Sequence, residues 1–345
     1  MPSSQSRTRT RRTPTSNRAT IYSVADRAGV SIATVSRVLS GTTATSPEAT
    51  EKVLKAAREL AYVPQNSARS LASRRYQTHA VVIGSLDGPY YSELLMGYED
   101  VAARYDQELL LVVADRPRRN RTLADLRARV DGVVIAQMDI PADEIAALAR
   151  LIPVVLVGRT EIDGCDGVVS ESVHSATELT RHLIDRHGRR RLVFVGDPTQ
   201  AFDVAARHAG FRAALTEAGL DAAHEPLVVP YTERGGERAT DLVLALPDRP
   251  DALVCANDEV ALALILGLRR RGVDVGQGVA VTGWDDVTAA RYVSPGLTTA
   301  RQPVREMGGR AAELLHRRVG GQQDAGGQHV LATEVVIRQS CGCPG

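Results

Sequence analysis

The stretch "GVSIATVSRVLSG", residues 29 to 41, joins a glycine, a serine at the head of a short apolar-periodic run and a single arginine, Arg37. Val35 and Val38 stand three apart and give the run an inward helical face, which Ser31 is placed to cap. Arg37 would be costly to bury without a partner, so it belongs on the outward face. Upstream, "TIYSVADRA" sets Ile21, Val24, Ala25 and Ala28 at helical spacing behind an N-cap at Thr20, and Gly29 stops that helix. Downstream, Ser46-Pro47 opens a third helix in which Val53, Leu54, Ala57 and Leu60 recur at three- and four-residue steps. Three short helices with a Gly-Val-Ser turn between the first two predict a helix-turn-helix head over residues 20 to 64.

Charge points the same way. Residues 1 to 79 hold thirteen Arg/Lys against four Asp/Glu, in a chain whose net charge is only +1. A basic head on an acidic body implies that the head alone meets a polyanion. Residues 1 to 19 carry no acid and no apolar periodicity, and read as a disordered basic arm that adds phosphate attraction. With the second helix in a DNA major groove, Ser31 would hold a phosphate and Arg37 would reach a guanine edge. Thr34 and Ser36 are further contact candidates. Ile32 and Ala33 offer only apolar contact, so direct base reading by this helix is expected to be sparse.

The motifs "TIYSVADRAGVS", "ATVSRVLSG", "SPEATEKVLKAARELAYVP" and "NSARSLAS" together resemble the DNA-binding head of the LacI family of transcriptional repressors. The resemblance implies that residues 66 to 73, within a linker of residues 65 to 78, form a hinge helix contacting DNA through Asn66, Ala68 and Leu71. Leu71 would be the wedge in the minor groove at the centre of a palindromic operator. Such a run is too short to be a stable helix alone and should order only when paired on DNA.

Beyond residue 79 the pattern changes to short apolar runs: "AVVIGS", "LLLVVA", "GVVIA", "VVLVG", "RLVFVG", "PLVVP", "ALVCA" and "VAVTG". Alternating with amphipathic stretches, these read as buried parallel strands of a doubly wound α/β architecture. The resemblance implies a two-lobed, periplasmic-binding-protein-like domain over residues 79 to 338, which binds an effector between its lobes and dimerises, and a tail over 339 to 345. Fold alone does not decide function, since sugar-binding receptors share this architecture. Sites in such sheets lie beyond the carboxyl ends of strands. Those ends offer Tyr90 and Tyr91, the helix carrying Arg207, Asn257 and Asp258, and Trp284 in "GWDD". The resemblance assigns effector contacts to Arg207 and Asp258. An Arg fork donates to oxygens, an Asp accepts from hydroxyls and aromatic faces cover the apolar side of a sugar. One departure is Glu171-Ser172, where the family usually has Asp-Asn, which leaves one pocket wall open to question.

Other classes find little support. No G-x-S-x-G elbow, P-loop or H-E-x-x-H is present, and the eight histidines pair with no cysteine at catalytic spacing, so no enzyme and no cofactor are expected. Cys165, Cys255, Cys341 and Cys343 are too scattered for a disulfide framework and lack zinc-site spacing; Cys341-Gly-Cys343 is expected to be a reduced tail, with metal or redox sensing the minor alternative. Without a membrane-length apolar run or an apolar leader, the chain is expected in the cytoplasm, which weighs against an exported receptor. The expected partners are a double-stranded operator and a small effector, a sugar first and a purine or other corepressor second. The expected assembly is a homodimer, with a tetramer as the alternative.

Overall fold

A computed structural model of the chain describes residues 19–40, 45–62, 75–114, 123, 125–136, 140–160, 162–221, 225–322 and 326–344. The chain divides between Tyr76 and Gln77 into two compact units. The first holds α1 (Ile21–Ala28), α2 (Ile32–Ser40) and α3 (Pro47–Glu59). Thr20 and Ser23 form a reciprocal capping box on α1, and Gly29 ends it at φ 66°, a conformation glycine adopts without steric penalty. Ser46 caps α3 by accepting from the Ala49 N–H, with Pro47 at the first helical position. Val24, Ala25, Ala28, Val35, Val53, Ala56 and Ala57 make the small core. Leu54, expected inside, is 44% exposed: the inward stripe of α3 runs through Val53, Ala56 and Ala57, and a residue adjacent to Val53 is turned about 100° away.

The second unit has two lobes, each built around a parallel sheet. The first lobe contains β1 (Thr78–Ile83), α4 (Pro89–Ala102), β2 (Glu108–Val113), β3 (Gly132–Ala136), α5 (Ala142–Ala149), β4 (Val154–Val157) and β5 (Asp166–Ser170). The chain then enters the second lobe through α6 (Val173–His187), β6 (Leu192–Val195), α7 (Phe202–Glu217), α8 (Glu233–Ala245), β7 (Ala252–Cys255), α9 (Asp258–Arg270) and β8 (Ala280–Thr282). After β9 (Thr299–Arg301) it returns through α10 (Val304–Val319) and β10 (Gln328–Leu331), then crosses once more into β11 (Glu334–Val336), which pairs antiparallel with β9.

The first sheet has the order β10-β5-β4-β3-β1-β2, with every pair parallel. The second has the order β6-β7-β8, also parallel. Apolar clusters cover both faces of each sheet, which is why their strands are continuous runs of Val, Ile and Leu rather than alternating ones. In the first lobe α4 and α10 pack at small residues: a Cβ on Gly308 would lie 2.0 Å from the Leu94 carbonyl oxygen, and one on Gly97 would lie 1.8 Å from that of Arg305.

Two further sequence expectations fail here. "PLVVP" is not a strand but a single bridge from Leu227 to Val195, because the flanking Pro226 and Pro230 have no N–H to extend a ladder. Nor do residues 339 onward form a tail. Ser340 and Cys341 are fully buried, and the Ser340 hydroxyl donates to the Val281 carbonyl of β8 at 2.6 Å, so the domain continues past residue 338.

Candidate functional site

In the first unit, α2 presents Ile32, Ala33, Ser36 and Arg37 to solvent, with Thr34 half-buried and Val35 fully buried beneath them. Ser31 accepts from the Thr34 N–H at 3.2 Å, the cap expected of it, so its exposed hydroxyl stands among the free N–H groups of the helix N-terminus. Arg37 Nε donates to the Ala33 carbonyl at 3.2 Å, along the exposed face. No acidic side chain lies on α2. The surface therefore joins a helix N-terminus, hydroxyls and a guanidinium, all donors suited to phosphate and base edges. The hinge residues Asn66, Ala68 and Leu71 lie outside the described residues, as does the basic arm through residue 18.

In the second unit a cleft of about 110 Å³ gathers residues from the carboxyl ends of strands in both lobes. Asp87, Tyr90 and Tyr91 follow β1, and Asp203, Val204 and Arg207 lie on α7 after β6. Tyr231 precedes α8; Asn257 and Glu259 follow β7, Asp285 follows β8 and Gln302 follows β9. In the first sheet β1 has β2 on one side and β3 on the other, so the loop after β1 leaves the sheet where the strand order reverses. Gly88 sits in this loop at φ 79°, where a Cβ would lie 1.6 Å from Glu259 Oε1, so the lobes approach closely there.

Arg207 organises the second lobe's wall. Its side chain is buried, donates to the Ala256 carbonyl at 2.6 Å and to Asp203 Oδ2 at 2.5 Å, and lies 4.8 Å over the Trp284 ring. Asp285 accepts from Gln302 Nε2 at 2.5 Å, and the Gln302 carbonyl oxygen accepts from Ser170 at 2.6 Å, which links this wall to β5. Burial raises the Asp285 carboxyl to about 7, against the pull of Arg207 and the Gln302 hydrogen bond. Its backbone at φ 118° is uncommon for a residue with a Cβ, and such strain clusters at binding sites. Burial, then the charges of Asp203, Glu259 and Asp87, pushes the Tyr91 phenol up to about 12, so it remains a neutral donor. Burial also raises Glu259, helped by Asp87 and Glu233.

Tyr90, Tyr91, Arg207 and Asn257 thus meet in one cleft, while two other candidates do not line it. Asp258 is fully buried behind the cleft, accepting from the Thr299 hydroxyl at 2.6 Å and the Val287 N–H at 2.9 Å. It is a structural tie between α9 and the loop after β8, and its neighbour Asn257 caps α9 by accepting from the Val260 N–H. Trp284 is 2% exposed and supports Arg207 from beneath instead of lining the space. Sequence reading missed the carboxylates Asp87, Asp203, Glu259 and Asp285. The signal available for Asp285 was its place one residue beyond Trp284 at the end of β8. Glu171, in the unusual Glu-Ser pair, serves the fold instead, since its carboxylate accepts from the His174 and Ser175 N–H groups and caps α6.

A second gathering joins two histidines to the Cys341-Gly-Cys343 pair, for which metal binding was only the minor expectation. His182 and His187 on α6 meet Cys341 and Cys343, with the four candidate ligand atoms all within 4.8 Å of one another. The expectation that no metal-ligand spacing exists looked only along the sequence, whereas Cys343 and His187 are 156 positions apart.

Comparison with known proteins agrees with both halves of the chain. The family profile described as "Bacterial regulatory proteins, lacI family" matches residues 20–65, and that of the "Periplasmic binding protein-like domain" matches residues 180–341. The chain is 32% identical to catabolite control protein A of Priestia megaterium, over 86% of this chain and 91% of that one. It is 33% identical to the ribose operon repressor of Escherichia coli, over 87% and 93%. A solved complex of the transcriptional regulator CelR with cellobiose superposes with a TM-score of 0.70 at 29% identity, covering 94% of this chain and all of that one.

Proposed function

The chain belongs to the lacI family of bacterial regulatory proteins and is a DNA-binding transcriptional regulator; we propose that it binds a pseudo-palindromic operator as a homodimer and answers to a small neutral polyhydroxylated molecule, a sugar or sugar derivative, held in the cleft. The observation that carries the ligand class is the charge of the lining: four carboxylates, Asp87, Asp203, Glu259 and Asp285, around one guanidinium. Carboxylates accept hydrogen bonds from hydroxyls and repel phosphate or carboxylate ligands, and the half-buried Tyr90 and Tyr91 supply faces for the apolar side of a pyranose or furanose. The solved relative binds cellobiose and another relative regulates a ribose operon, which fits the same class.

On the DNA side, α2 enters the major groove with Ser31, Ile32, Ala33, Thr34, Ser36 and Arg37 toward the duplex. The segment 66 to 73 folds as a hinge helix on the operator, with Leu71 as its wedge. A two-fold dimer imposes matching half-sites. Footprinting on DNA selected by the purified chain should protect two inverted half-sites; protection of a direct repeat overturns the dimeric reading. Calorimetric titration with neutral sugars, sugar phosphates and purines should find binding among the neutral sugars, lost in Arg207→Ala, while operator binding without effector persists. Binding of a purine or a sugar phosphate, with all neutral sugars silent, overturns the ligand class.

A further inference from the structure

We propose that His182, His187, Cys341 and Cys343 form a tetrahedral zinc site that fastens the end of the chain to α6. The contacts are close and mutual. His182 Nε2 lies 3.2 Å from His187 Nε2, and Cys343 Sγ lies 3.6 Å and 3.4 Å from the same two nitrogens. Cys341, fully buried, completes the group.

Two-centre hydrogen bonds do not satisfy every contact in this arrangement. An imidazole Nε2 has one in-plane position, either an N–H or a lone pair, and so serves one neighbour. Here each Nε2 has two, the other nitrogen and the Cys343 sulfur. A cation at the centre resolves the conflict, because each Nε2 then directs its one lone pair inward and each thiolate one of its three.

The spacings also fit. With Zn–N bonds of about 2.05 Å and Zn–S bonds of about 2.3 Å, a tetrahedron has N···N edges of about 3.3 Å and N···S edges of about 3.5 Å. The three separations among His182, His187 and Cys343 lie within about 0.1 Å of those values. Two thiolates and two imidazoles in tetrahedral array select zinc(II), and four protein ligands leave no open position, the mark of a structural and not a catalytic ion.

The local chain is shaped to allow this. Gly342 stands between the cysteines at φ 109°, a conformation that side-chain-bearing residues rarely adopt. A Cβ there would lie 2.9 Å from the Gly276 carbonyl oxygen and 3.2 Å from His187 Nδ1, so glycine lets both thiols reach α6. Cys341 and the half-buried Cys343 pack with Leu183, Leu192, Phe194 and Phe211, the apolar cluster under α7. The ion would therefore brace the helix layer from which Arg207 projects. The site lies outside the cleft and its readout does not depend on the effector.

The test uses the full-length chain, purified under reducing conditions and assayed for metal by mass spectrometry. One zinc per chain is expected, resistant to a weak chelator, with a fall in Tm when a strong chelator removes it. Cobalt(II) loaded in its place should give the visible bands of a tetrahedral thiolate complex. Cys343→Ser and His182→Gln should lose the ion, and chelator should lower their Tm no further; Cys165→Ala, in the other lobe, should keep it. Failure of the wild-type chain to take up zinc or cobalt overturns the proposal even if a variant misfolds. So does a full equivalent of zinc in Cys343→Ser, or a Cys341–Cys343 disulfide in the reduced preparation.

Discussion

Asp258 and Asp285 both stand at strand ends, but one ties the fold and the other faces the cleft. Its place at a strand end and the family resemblance favoured Asp258; its two hydrogen-bond donors, from Thr299 and Val287, come from positions far along the chain and leave no local trace. Asp258→Ala should strand both donors and cost about 2 to 3 kcal/mol of stability, measured by denaturant unfolding. Asp285 should show itself through pH. Its carboxyl is raised to about 7, so the folded chain holds a proton that the unfolded chain releases near pH 3.8. The resulting stabilisation is full below about pH 4 and lost as pH rises through about 7. Asp285→Asn should flatten that slope in melts across the range. Effector binding runs the other way, since ionised Asp285 is the better acceptor: wild-type affinity should rise between about pH 6 and 8, and Asp285→Asn should lose that dependence with roughly 10- to 100-fold of affinity. A wild-type affinity that stays flat with pH would remove Asp285 as the acceptor. Tyr90, Tyr91, Arg207 and Asn257 were legible because strand ends mark where sites lie, whereas the carboxylates resemble any solvated helix or loop acid.

The strands β1 to β4 and β6 to β8 could be read from the sequence because both faces of each sheet are covered, which demands unbroken apolar runs. By contrast β5, β9, β10 and β11 are short and polar, as in "DGVVS" and "TAR", and lie at sheet edges or beside the crossings between lobes. β10 and β11 are only partly buried, so their apolar signal is weak; β5 and most of β9 are buried but carry polar or small residues held by hydrogen bonds, as Asp166 is by Arg318 and Thr299 by Asp258. Within the head, α2 is the proposed reading element, through the exposed Arg37. Arg37→Ala should lose about 1 to 3 kcal/mol per half-site and relax one operator position, with random-DNA affinity little changed. Equal loss on all sequences, measured by competition binding, would make Arg37 a phosphate contact only. At the entry to α4, Gly88→Ala strains a left-handed residue and displaces Glu259 from its place against the loop. It should weaken effector binding in calorimetry while leaving operator affinity without effector unchanged.

At the scale of the whole molecule, the proposed link between operator recognition and effector response runs through residues 66 to 73, which lie outside the described residues. If Leu71 is a wedge, Leu71→Ala keeps helix propensity but removes the side chain that must offset about a few kcal/mol of base unstacking. Operator affinity should fall far more than random-DNA affinity at fixed salt, and the effector's coupling, typically about 1 to 3 kcal/mol, should shrink. Equal losses on both DNAs would reduce the segment to a linker. The three crossings of the chain between lobes carry a further consequence, one of time. The first sheet stays unfinished until β10 supplies its edge, and the face that α4 covers in part stays incomplete until α10 arrives, yet all of β6 to β9 is translated in between. At about 5 to 20 residues per second, β5 spends roughly ten seconds or more on the ribosome as an unpaired edge. The nascent chain therefore passes through a long-lived, half-built state in which that edge and an apolar sheet face are open to chaperones or to a neighbouring nascent chain, and shortening this wait by circular permutation should raise soluble yield without altering a single contact in the finished protein.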